Sequence, residues 1–527
     1  MDTATATRPR RLDELPAPPG WPLLGQLLAL DPARLHQILE GWHADLGSPY
    51  LLRLGPRKVY VCADPELLQT ALRERPERYR RMRQIEDCIA EMRSNGVFSV
   101  EGEAWRPQRG LAVSGPVEVE VRRSWLDGNQ GQVGGGLSIT GSGTVATRVT
   151  LAETLVGNTG VAPQSGNQAL NGGGVSCLNA SLRLHGAQVR NNQAAELGGG
   201  LYLDNCAVST GLNTYSTPGY VGFNARVDDN RALGDGGGVY ARGGSRITLG
   251  PPSANIAIAG NRAVRGGGVF LRGIDTRMLA VGLQLDDNRA DDFGGGAYLD
   301  QDARLLMQRQ FPVIAAMPDG RGAVTIFNQC DPPVACSLMR GNRADGFNGN
   351  AFFVNGATLE LRHTQLSGNG TGGRSLILAS NVSELLLESS LVVGNDSGGS
   401  DLIRLVSGNF FVLRASTITG NTSGPVLRSF TTTGDNYIDF LDSIVWQPGS
   451  RVYWPDVADI LVSDCLNAHD AADLPAATHD PGFIDAAGGD YRLRGDSANV
   501  DACTDPFGAP AVDLFGTARP FGLDHVA

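Results

Sequence analysis

Short apolar stretches alternate with glycine- and asparagine-rich turns along most of this chain, and one pattern returns many times. The clearest copy is Asn288-Arg-Ala-Asp-Asp-Phe-Gly-Gly-Gly-Ala-Tyr-Leu299, an asparagine followed by a glycine triplet and a short apolar stretch. The other copies are anchored by Asn129, Asn167, Asn192, Asn230, Asn261, Asn342, Asn369, Asn395 and Asn421. Successive anchors lie 38, 25, 38, 31, 27, 54, 27, 26 and 26 residues apart. Such self-similarity predicts a solenoid, in which each unit packs only against its neighbours.

Within each unit, apolar residues alternate with other residues as they do in a β-strand. The stretches after the glycine triplets include Leu137-Ser-Ile139, Leu201-Tyr-Leu203 and Val269-Phe-Leu271. A second alternating stretch precedes the anchor asparagine, as at Leu359, Leu361 and Leu366 before Asn369. Period-two alternation indicates strands. One turn of chain per unit then predicts a mainly β fold, a parallel β-helix of about a dozen coils stacked about 4.8 Å apart.

The recurring asparagines and glycines have structural explanations. Asparagines at equivalent corners can stack into a ladder in which each amide bonds those above and below it. Glycine supplies positive φ and permits close backbone approach at a tight corner. In the Asn-Arg-Ala segments we expect the arginine to face solvent and the alanine to pack inward; these arginines are Arg231, Arg262, Arg289 and Arg343.

The middle position of the strand after each triplet carries a row of aromatic residues, predicted to face outward. Its members are Tyr202, Tyr240, Phe270, Tyr298 and Phe352. Stacked aromatics stabilise neighbouring strands. An exposed row could also bind a carbohydrate or a protein on the flank of the β-helix. Both interpretations remain open from the sequence.

Two pairs of acids raise the question of catalysis. Asp228-Asp229 and Asp286-Asp287 each precede an anchor asparagine and should lie about two coils apart. Paired carboxylates can hydrolyse glycosidic bonds, although solvated corner acids explain the same pattern. The sequence therefore predicts no catalytic residue and no metal site, and it leaves a polysaccharide-active lyase or hydrolase as an alternative.

The composition and the net charge disfavour some classes of binding partner for this chain. Glycine accounts for 70 of 527 residues, which suits a β-solenoid, and the net charge is −11. This charge disfavours a nucleic-acid partner. No apolar run of 18 residues occurs, so no membrane span is expected. Met1 to Arg11 lacks a following apolar core of signal-peptide length, which leaves the chain cytoplasmic as written.

The first 113 residues read as a small α+β fragment outside the repeat. Asp31 to Leu46 predicts an amphipathic helix, and Leu51–Leu54 and Val59–Cys62 predict a hairpin across Gly55-Pro56. Asp64-Pro-Glu opens a further helix with proline in its first turn.

Four motifs in this fragment resemble the opening segment of a cytochrome P-450, a haem-thiolate monooxygenase. They are Pro18-Pro-Gly with Pro22-Leu-Leu-Gly25, Tyr50-Leu-Leu-Arg-Leu-Gly, Asp64-Pro-Glu-Leu, and Gly96-Val-Phe-Ser with Gly102-Glu-Ala-Trp105-Arg-Pro-Gln-Arg109. The resemblance implies that Trp105 and Arg109 contact a haem propionate. It stops near Val113, and no cysteine has the glycine two residues later that the family's ligand loop requires. We therefore expect no haem and incomplete monooxygenase machinery.

Residues 117–527 have a resemblance of their own. The Asn-x-Ala and Gly-Gly-Gly-x-Tyr repeats, with Asp480-Pro-Gly-Phe-Ile-Asp485 and Asp513-Leu-Phe-Gly in the tail, resemble right-handed parallel β-helix proteins of bacterial surfaces. These include polymorphic outer-membrane proteins and autotransporter passengers. The resemblance implies coils to about residue 445, closing coils and a tail over 446–527, and an exported, adhesin-like structural or binding module.

The cysteines leave several arrangements open. Cys330 and Cys336 could clip an insertion between coils, and Cys465 and Cys503 could staple the tail. Cys177 falls at an inward strand position, which predicts a buried apolar role. No Cys-x-x-Cys metal spacing occurs.

Overall fold

The structure is a computed structural model. It describes residues 14–31, 34–65, 110–142, 146–158, 166–210, 225–250, 256–308, 313–316, 323–326, 337–346, 348–431, 433–456, 459–500 and 502–503. The chain divides into two compact units, Met1–Arg106 and Pro107–Ala527.

The N-terminal unit contains one helix and one antiparallel hairpin among its described residues. Helix α1 spans Leu35–Leu46, a 3-10 turn spans Leu27–Ala29, and strand Tyr50–Leu54 pairs with Arg57–Val61. The predicted helix and hairpin are therefore confirmed. The helix predicted after Asp64 lies almost wholly outside the described residues. No residue of α1 is fully buried, and the Tyr50 hydroxyl donates to the carbonyl oxygen of Leu39 in this helix.

Within the described residues, the second unit is a parallel β-helix whose strands form three sheets of twelve, 22 and seven strands. Sheet I has twelve strands, one per coil. They are Leu111–Ser114, Leu137–Thr140, Val175–Leu178, Leu201–Asp204, Val239–Arg242, Val269–Arg272, Ala297–Asp300, Phe352–Asn355, Ile377–Ser380, Ile403–Val406, Leu427–Phe430 and Tyr453–Trp454.

Sheet II has 22 strands, because most coils contribute two consecutive strands to it. In successive coils, the first of these strands are Glu118–Arg122, Arg148–Ala152, Ser181–His185, Ala207–Thr210, Arg246–Leu249, Arg277–Val281, Arg304–Gln308, Thr358–Arg362, Glu384–Glu388, Phe410–Arg414, Tyr437–Trp446 and Ile460–Ala468. The second strands are Trp125–Leu126, Leu155–Gly157, Gln188–Arg190, Arg226–Asp228, Ile256–Ala259, Leu283–Asp286, Ser337–Arg340, Thr364–Ser367, Leu391–Val393 and Thr417–Thr419.

Sheet III has seven strands among the described residues, and each of them closes its coil after the anchor asparagine. They are Gln130–Val133, Gln168–Asn171, Gln193–Leu197, Arg231–Ala232, Arg262–Arg265, Arg289–Phe293 and Arg343–Ala344. Two antiparallel hairpins lie outside the three sheets: Val313–Ala316 with Ala323–Ile326, and Phe483–Asp485 with Asp490–Leu493.

The solenoid begins slightly before the predicted start at 117, because its first strand, Leu111–Ser114, pairs with Leu137–Thr140. Its last strand of sheet II, Ile460–Ala468, lies in the segment 446–527 for which closing coils and a tail were predicted. The interior between the sheets is filled by aliphatic side chains, one stacked above the next, as the alternating pattern predicts.

The predicted asparagine ladder is present along the corner between sheets II and III. The amide Nδ2 of Asn288 donates to Oδ1 of Asn342 at 3.0 Å, and the same oxygen accepts the backbone N–H of Asn288. Equivalent bonds join every anchor from Asn129 to Asn421, all of them buried. Alanines of sheet III pack inward beside the ladder, and Arg262, Arg289 and Arg343 stay partly exposed in ion pairs with acids, as expected.

The first two glycines of a triplet are required for different structural reasons. Gly294 has φ +67°, the left-handed region that suits glycine. Gly295 does not have positive φ, but a Cβ there would lie 2.3 Å from the carbonyl oxygen of Arg343 in the next coil. The second glycine is thus required by close approach of two coils rather than by its own dihedral angles.

Candidate functional site

The predicted aromatic column forms on the outer side of sheet I, with one change of member. Tyr202, Tyr240, Phe270 and Tyr298 occupy paired positions on consecutive strands. The next member is Phe353, whereas Phe352 pairs with Ala297 and lies in the core. The assignment of Phe352 was wrong because this coil has one more residue between its anchor asparagine and the strand. Asn350 and Ala351 replace two glycines of the triplet, so the shift is not visible in the sequence pattern.

The ring faces of the column are occupied by one another. Neighbouring ring centroids lie 5.7, 5.2, 4.8 and 4.7 Å apart from Tyr202 to Phe353, with interplanar angles of 4° to 28°. The guanidinium of Arg265 lies 5.5 Å from the centroids of Phe270 and Tyr298, and the ring of Phe293 packs on Phe353. None of the five rings exceeds 9% exposure, and burial raises the pKa of the Tyr240 hydroxyl. The expectation of an exposed row is therefore wrong, since a ligand has no free ring face on which to stack.

The acid pairs lie two coils apart, as the spacing predicted. Asp228 pairs with Ala259, which pairs with Asp286. Both carboxylates are buried, with exposures of 2% and 6%. Oδ2 of Asp228 accepts from Arg226 Nε at 2.5 Å, and Oδ2 of Asp286 accepts from Arg340 Nε at 3.0 Å. Among the described residues, the buried Oδ1 of each acid has no hydrogen-bond partner.

The two members of each pair have different roles. Burial raises the pKa of Asp228 and of Asp286, and it outweighs the opposing effect of the paired arginines. Asp229 and Asp287 instead have φ +54° and +53° at the turn before an anchor asparagine. Aspartate tolerates that conformation better than most residues, which explains the second acid structurally.

A surface cleft lies at the corner where sheet I turns into sheet II. Its volume is about 360 Å³ and it spans several coils. Charged side chains line it: Asp275, Arg277, Asp302, Arg304 and Glu384. Arg304 lies 3.8 Å from Glu384, whereas Asp275, Arg277 and Asp302 have no ion-pair partner in the described part of the chain. Small ligands usually bind in concave sites, but most such sites are more apolar than this cleft.

The cleft belongs to a longer row, which we call the corner row. It consists of the first residue of eight successive strands of sheet II: Arg246, Arg277, Arg304, Thr358, Glu384, Phe410, Tyr437 and Ile460. Past the cleft, the rings of Phe410 and Tyr437 stack 4.8 Å apart and are 44% and 41% exposed. The corner row thus joins a charged cleft to an exposed aromatic pair.

Sequence reasoning missed the corner row although a signal was present. Phe410 and Tyr437 lie 27 residues apart, the period of the neighbouring coils, and Arg277 and Arg304 also lie 27 apart. In four coils the corner row lies eleven residues before the anchor asparagine, one position before the apolar residues that indicated the strand; its members there are Arg277, Thr358, Glu384 and Phe410.

The cysteines of the described residues form two disulfides. Cys465 is bonded to Cys503, the pairing that the sequence allowed for the tail. Cys177 is bonded to Cys206 and is not a buried apolar thiol as expected, because strand Val175–Leu178 and the turn before Ala207–Thr210 place the two residues side by side. Cys330 and Cys336 lie outside the described residues.

The residues implicated in haem contact cannot be placed, since Trp105 and Arg109 lie outside the described residues. Of the described cysteines, Cys62 alone has a free thiol. It follows the hairpin strand Arg57–Val61, and its sulfur lies 3.9 Å from the carbonyl oxygen of Asp64.

None of the helices in the described ranges has the length and apolar character needed to cross a bilayer.

Comparison with known proteins supports the resemblance at the N-terminus. The family model Cytochrome P450 matches residues 15–115, about a fifth of the chain. No curated protein matches the chain. No solved structure matches it either. The chain is therefore a parallel β-solenoid preceded by a segment similar to the opening of a cytochrome P450, and the match ends inside the first solenoid coil, at the strand Leu111–Ser114.

Proposed function

We propose that the solenoid is a rigid binding rod of the bacterial cell-surface type, whose ligand is a polysaccharide held along the corner row. The observation that carries the proposal is the continuity of the charged cleft with the exposed pair Phe410 and Tyr437. Carboxylate and guanidinium groups can hydrogen-bond sugar hydroxyls, and exposed rings can pack on sugar faces. Because the row follows the rod axis, a chain of sugars can contact several coils at once.

Two further features support an exported, adhesin-like role. Disulfides such as Cys177–Cys206 and Cys465–Cys503 persist in oxidising compartments outside the cytoplasm. The buried asparagine ladder and the closed aromatic column make a stiff scaffold, on which a surface site keeps its geometry.

Binding of the full chain to a panel of plant and bacterial polysaccharides, measured by affinity electrophoresis, tests this proposal. Phe410→Ala and Glu384→Gln should each weaken binding by roughly three- to tenfold, the effect of losing one ring contact or one polar contact. Trp125→Ala removes a comparably exposed aromatic far along the rod and serves as the matched control. Absence of binding to every polysaccharide, or equal loss with the control, would contradict the proposal.

A polysaccharide-active enzyme is the second candidate, favoured by one observation. Asp228 and Asp286 are two buried carboxylates on one row, each with raised pKa and an unpaired oxygen. A carboxyl of raised pKa can act as a general acid. Release of reducing ends or unsaturated products, abolished by Asp286→Asn, would establish this function; intact polymer after prolonged incubation would exclude it for the substrates tested.

We also propose that the P450-like segment has no monooxygenase function and binds no haem. The supporting observation is that the described chain continues into the β-helix at Leu111, where the family would continue with a helical body that supplies the thiolate. Addition of haem, reduction and carbon monoxide should give no thiolate-type Soret band. A stoichiometric band would show that a cysteine of this chain serves as the axial ligand.

A further inference from the structure

A second exposed cluster lies at the C-terminal end of sheet I, on the outer row that carries the aromatic column nearer the N-terminus. After Phe353 this row continues with Leu378, Arg404, Arg428 and Trp454. The aromatic column therefore gives way to arginines in the last coils. Trp454 belongs to the last strand of the sheet and is 44% exposed.

The arginines and aromatic rings of these coils contact one another in alternation. The Arg428 guanidinium carbon lies 4.4 Å from the centroid of the Phe430 ring and 4.7 Å from that of Trp454. Arg404 lies 5.4 Å from Phe430, and Arg451 lies 5.1 Å from Trp454. We call these five residues the arginine–aromatic stack. Contact with two rings fixes the plane of the Arg428 guanidinium before any ligand arrives.

The three arginines differ in their contacts with carboxylates. Arg404 donates to Asp401 Oδ2 at 2.5 Å, and Arg451 donates to Asp473 Oδ2 at 2.6 Å. The side chain of Arg428 donates no hydrogen bond within the described ranges, and its ion pair there is with Asp401, whose Oδ1 lies 3.7 Å from Nη1. The Arg428 side chain is 32% exposed. The guanidinium of Arg428 is thus held between two aromatic rings, and its N–H groups can still donate hydrogen bonds to a ligand.

We propose that the arginine–aromatic stack binds the carboxylate of an acidic saccharide, a uronate unit, with Arg428 as the anion-binding residue. A guanidinium edge matches a carboxylate through two parallel N–H···O bonds. Trp454, which is 44% exposed and whose ring centroid lies 4.7 Å from the Arg428 guanidinium carbon, supplies the apolar contact that a sugar ring needs and that an isolated carboxylate does not. The site is separate from the corner row and does not depend on the function proposed for it.

Titration of the full chain with an oligogalacturonate, followed by tryptophan fluorescence and calorimetry, tests the proposal. A neutral glucan oligomer of equal length and a polyglutamate peptide serve as comparison probes. We expect the oligogalacturonate to bind, with an affinity that falls as salt rises, and to bind more tightly than either comparison probe. Failure of the oligogalacturonate to bind, or equal binding of polyglutamate, would overturn the assignment of an acidic saccharide.

Three variants locate the site. Arg428→Gln should weaken oligogalacturonate binding at least about tenfold, because charge-assisted hydrogen bonds are lost. Arg428→Lys keeps the charge but loses the planar fork, so it should bind more weakly than the wild type. Trp454→Phe should remove the fluorescence change.

Arg272→Gln is the matched control, an arginine of the same sheet with 43% exposure and a carboxylate partner of its own. Thermal unfolding verifies that each variant is folded. Wild-type affinity in a folded Arg428→Gln variant, or an equal loss in Arg272→Gln, would refute the role of Arg428.

Discussion

At the scale of single residues, the anchor asparagines carry the most concentrated set of interactions. Oδ1 of Asn288 accepts the backbone N–H and the amide Nδ2 of Asn261, each at 3.0 Å. Its own Nδ2 donates to Ile258 O and to Asn342 Oδ1. Every polar atom of this buried side chain is therefore paired with a neighbouring coil, which is the condition under which burial of an amide costs little.

Replacement of Asn288 by leucine should lower the free energy of unfolding by about 3 kcal/mol or more. The substitution leaves the buried N–H groups of Asn261 without an acceptor, and each such group costs about 1–3 kcal/mol. Chemical denaturation measures the change. Gln284→Leu, an equivalent change at an outward position of the same coil, is the control and should change stability little. Equal stability of both variants would show that the ladder is not stabilising.

Because the carboxyl of Asp286 is buried, we expect the stability of the protein to depend on pH. Burial raises its folded-state pKa above the ordinary value of 3.8, so the folded protein binds its proton more tightly than the unfolded chain does. This contribution to stability is fully present below the unfolded pKa and is lost as pH rises through the folded pKa. The stability of the wild type relative to Asp286→Asn should therefore fall as pH rises above about 4.

Urea unfolding of wild type and Asp286→Asn at a series of pH values measures this difference. Asp287→Asn, which removes the adjacent turn carboxylate and leaves the Arg340 pair intact, sets the baseline. A difference between wild type and Asp286→Asn that rises with pH would mean that the arginine, rather than burial, dominates.

At the scale of strands and sheets, the alternating pattern specifies which residues face the core, but it does not specify what covers the outer face. Sheet I shows the difference. Its inward residues were predicted correctly from alternation, and its outward rings were predicted to be exposed. They are buried because rings one strand spacing apart cover each other's faces and because Arg265 and Phe293, which lie at the ends of sheet III strands, pack against them.

The aromatic column should therefore behave as a packing element. Phe270→Ala should destabilise the rod by about 3–5 kcal/mol, the usual cost of truncating a buried phenylalanine. Phe270→Leu restores most of the volume and should recover much of that loss. Differential scanning calorimetry compares the two. A Phe270→Ala variant as stable as the wild type would instead point to a surface role for the column.

Disulfide pairing and the cleft were beyond sequence reasoning for a related reason. Cys177 and Cys206 are 29 residues apart, and their contact depends on how one coil turns its corner relative to the next. The charged residues of the cleft come from several coils separated by turns of different length. Asp275 and Asp302 are one regular period of 27 residues apart, but the insertion that follows Asp302 breaks this period before Glu384.

At the scale of the whole chain, the junction between the two parts is set by strand Leu111–Ser114. Its backbone pairs with Leu137–Thr140, and Val113 is 6% exposed in the solenoid core. A fragment of residues 110–527 should therefore unfold near the temperature of the full chain. A fragment of residues 117–527, which lacks this strand and uncovers the first coil, should unfold at a lower temperature. Equal unfolding temperatures for the two fragments would place the junction after the strand.

The regular spacing of the last anchor asparagines allows the gene to gain or lose whole repeats. Asn342, Asn369, Asn395 and Asn421 are separated by 27, 26 and 26 residues, and each side chain bonds only its own coil and the two coils next to it. Gain or loss of one such block in frame leaves every inward side chain inward and every ladder bond with a new, equivalent partner. Unequal recombination between neighbouring repeats can thus lengthen or shorten the rod in steps of one strand spacing, and the reach of the molecule becomes a trait that varies by copy number.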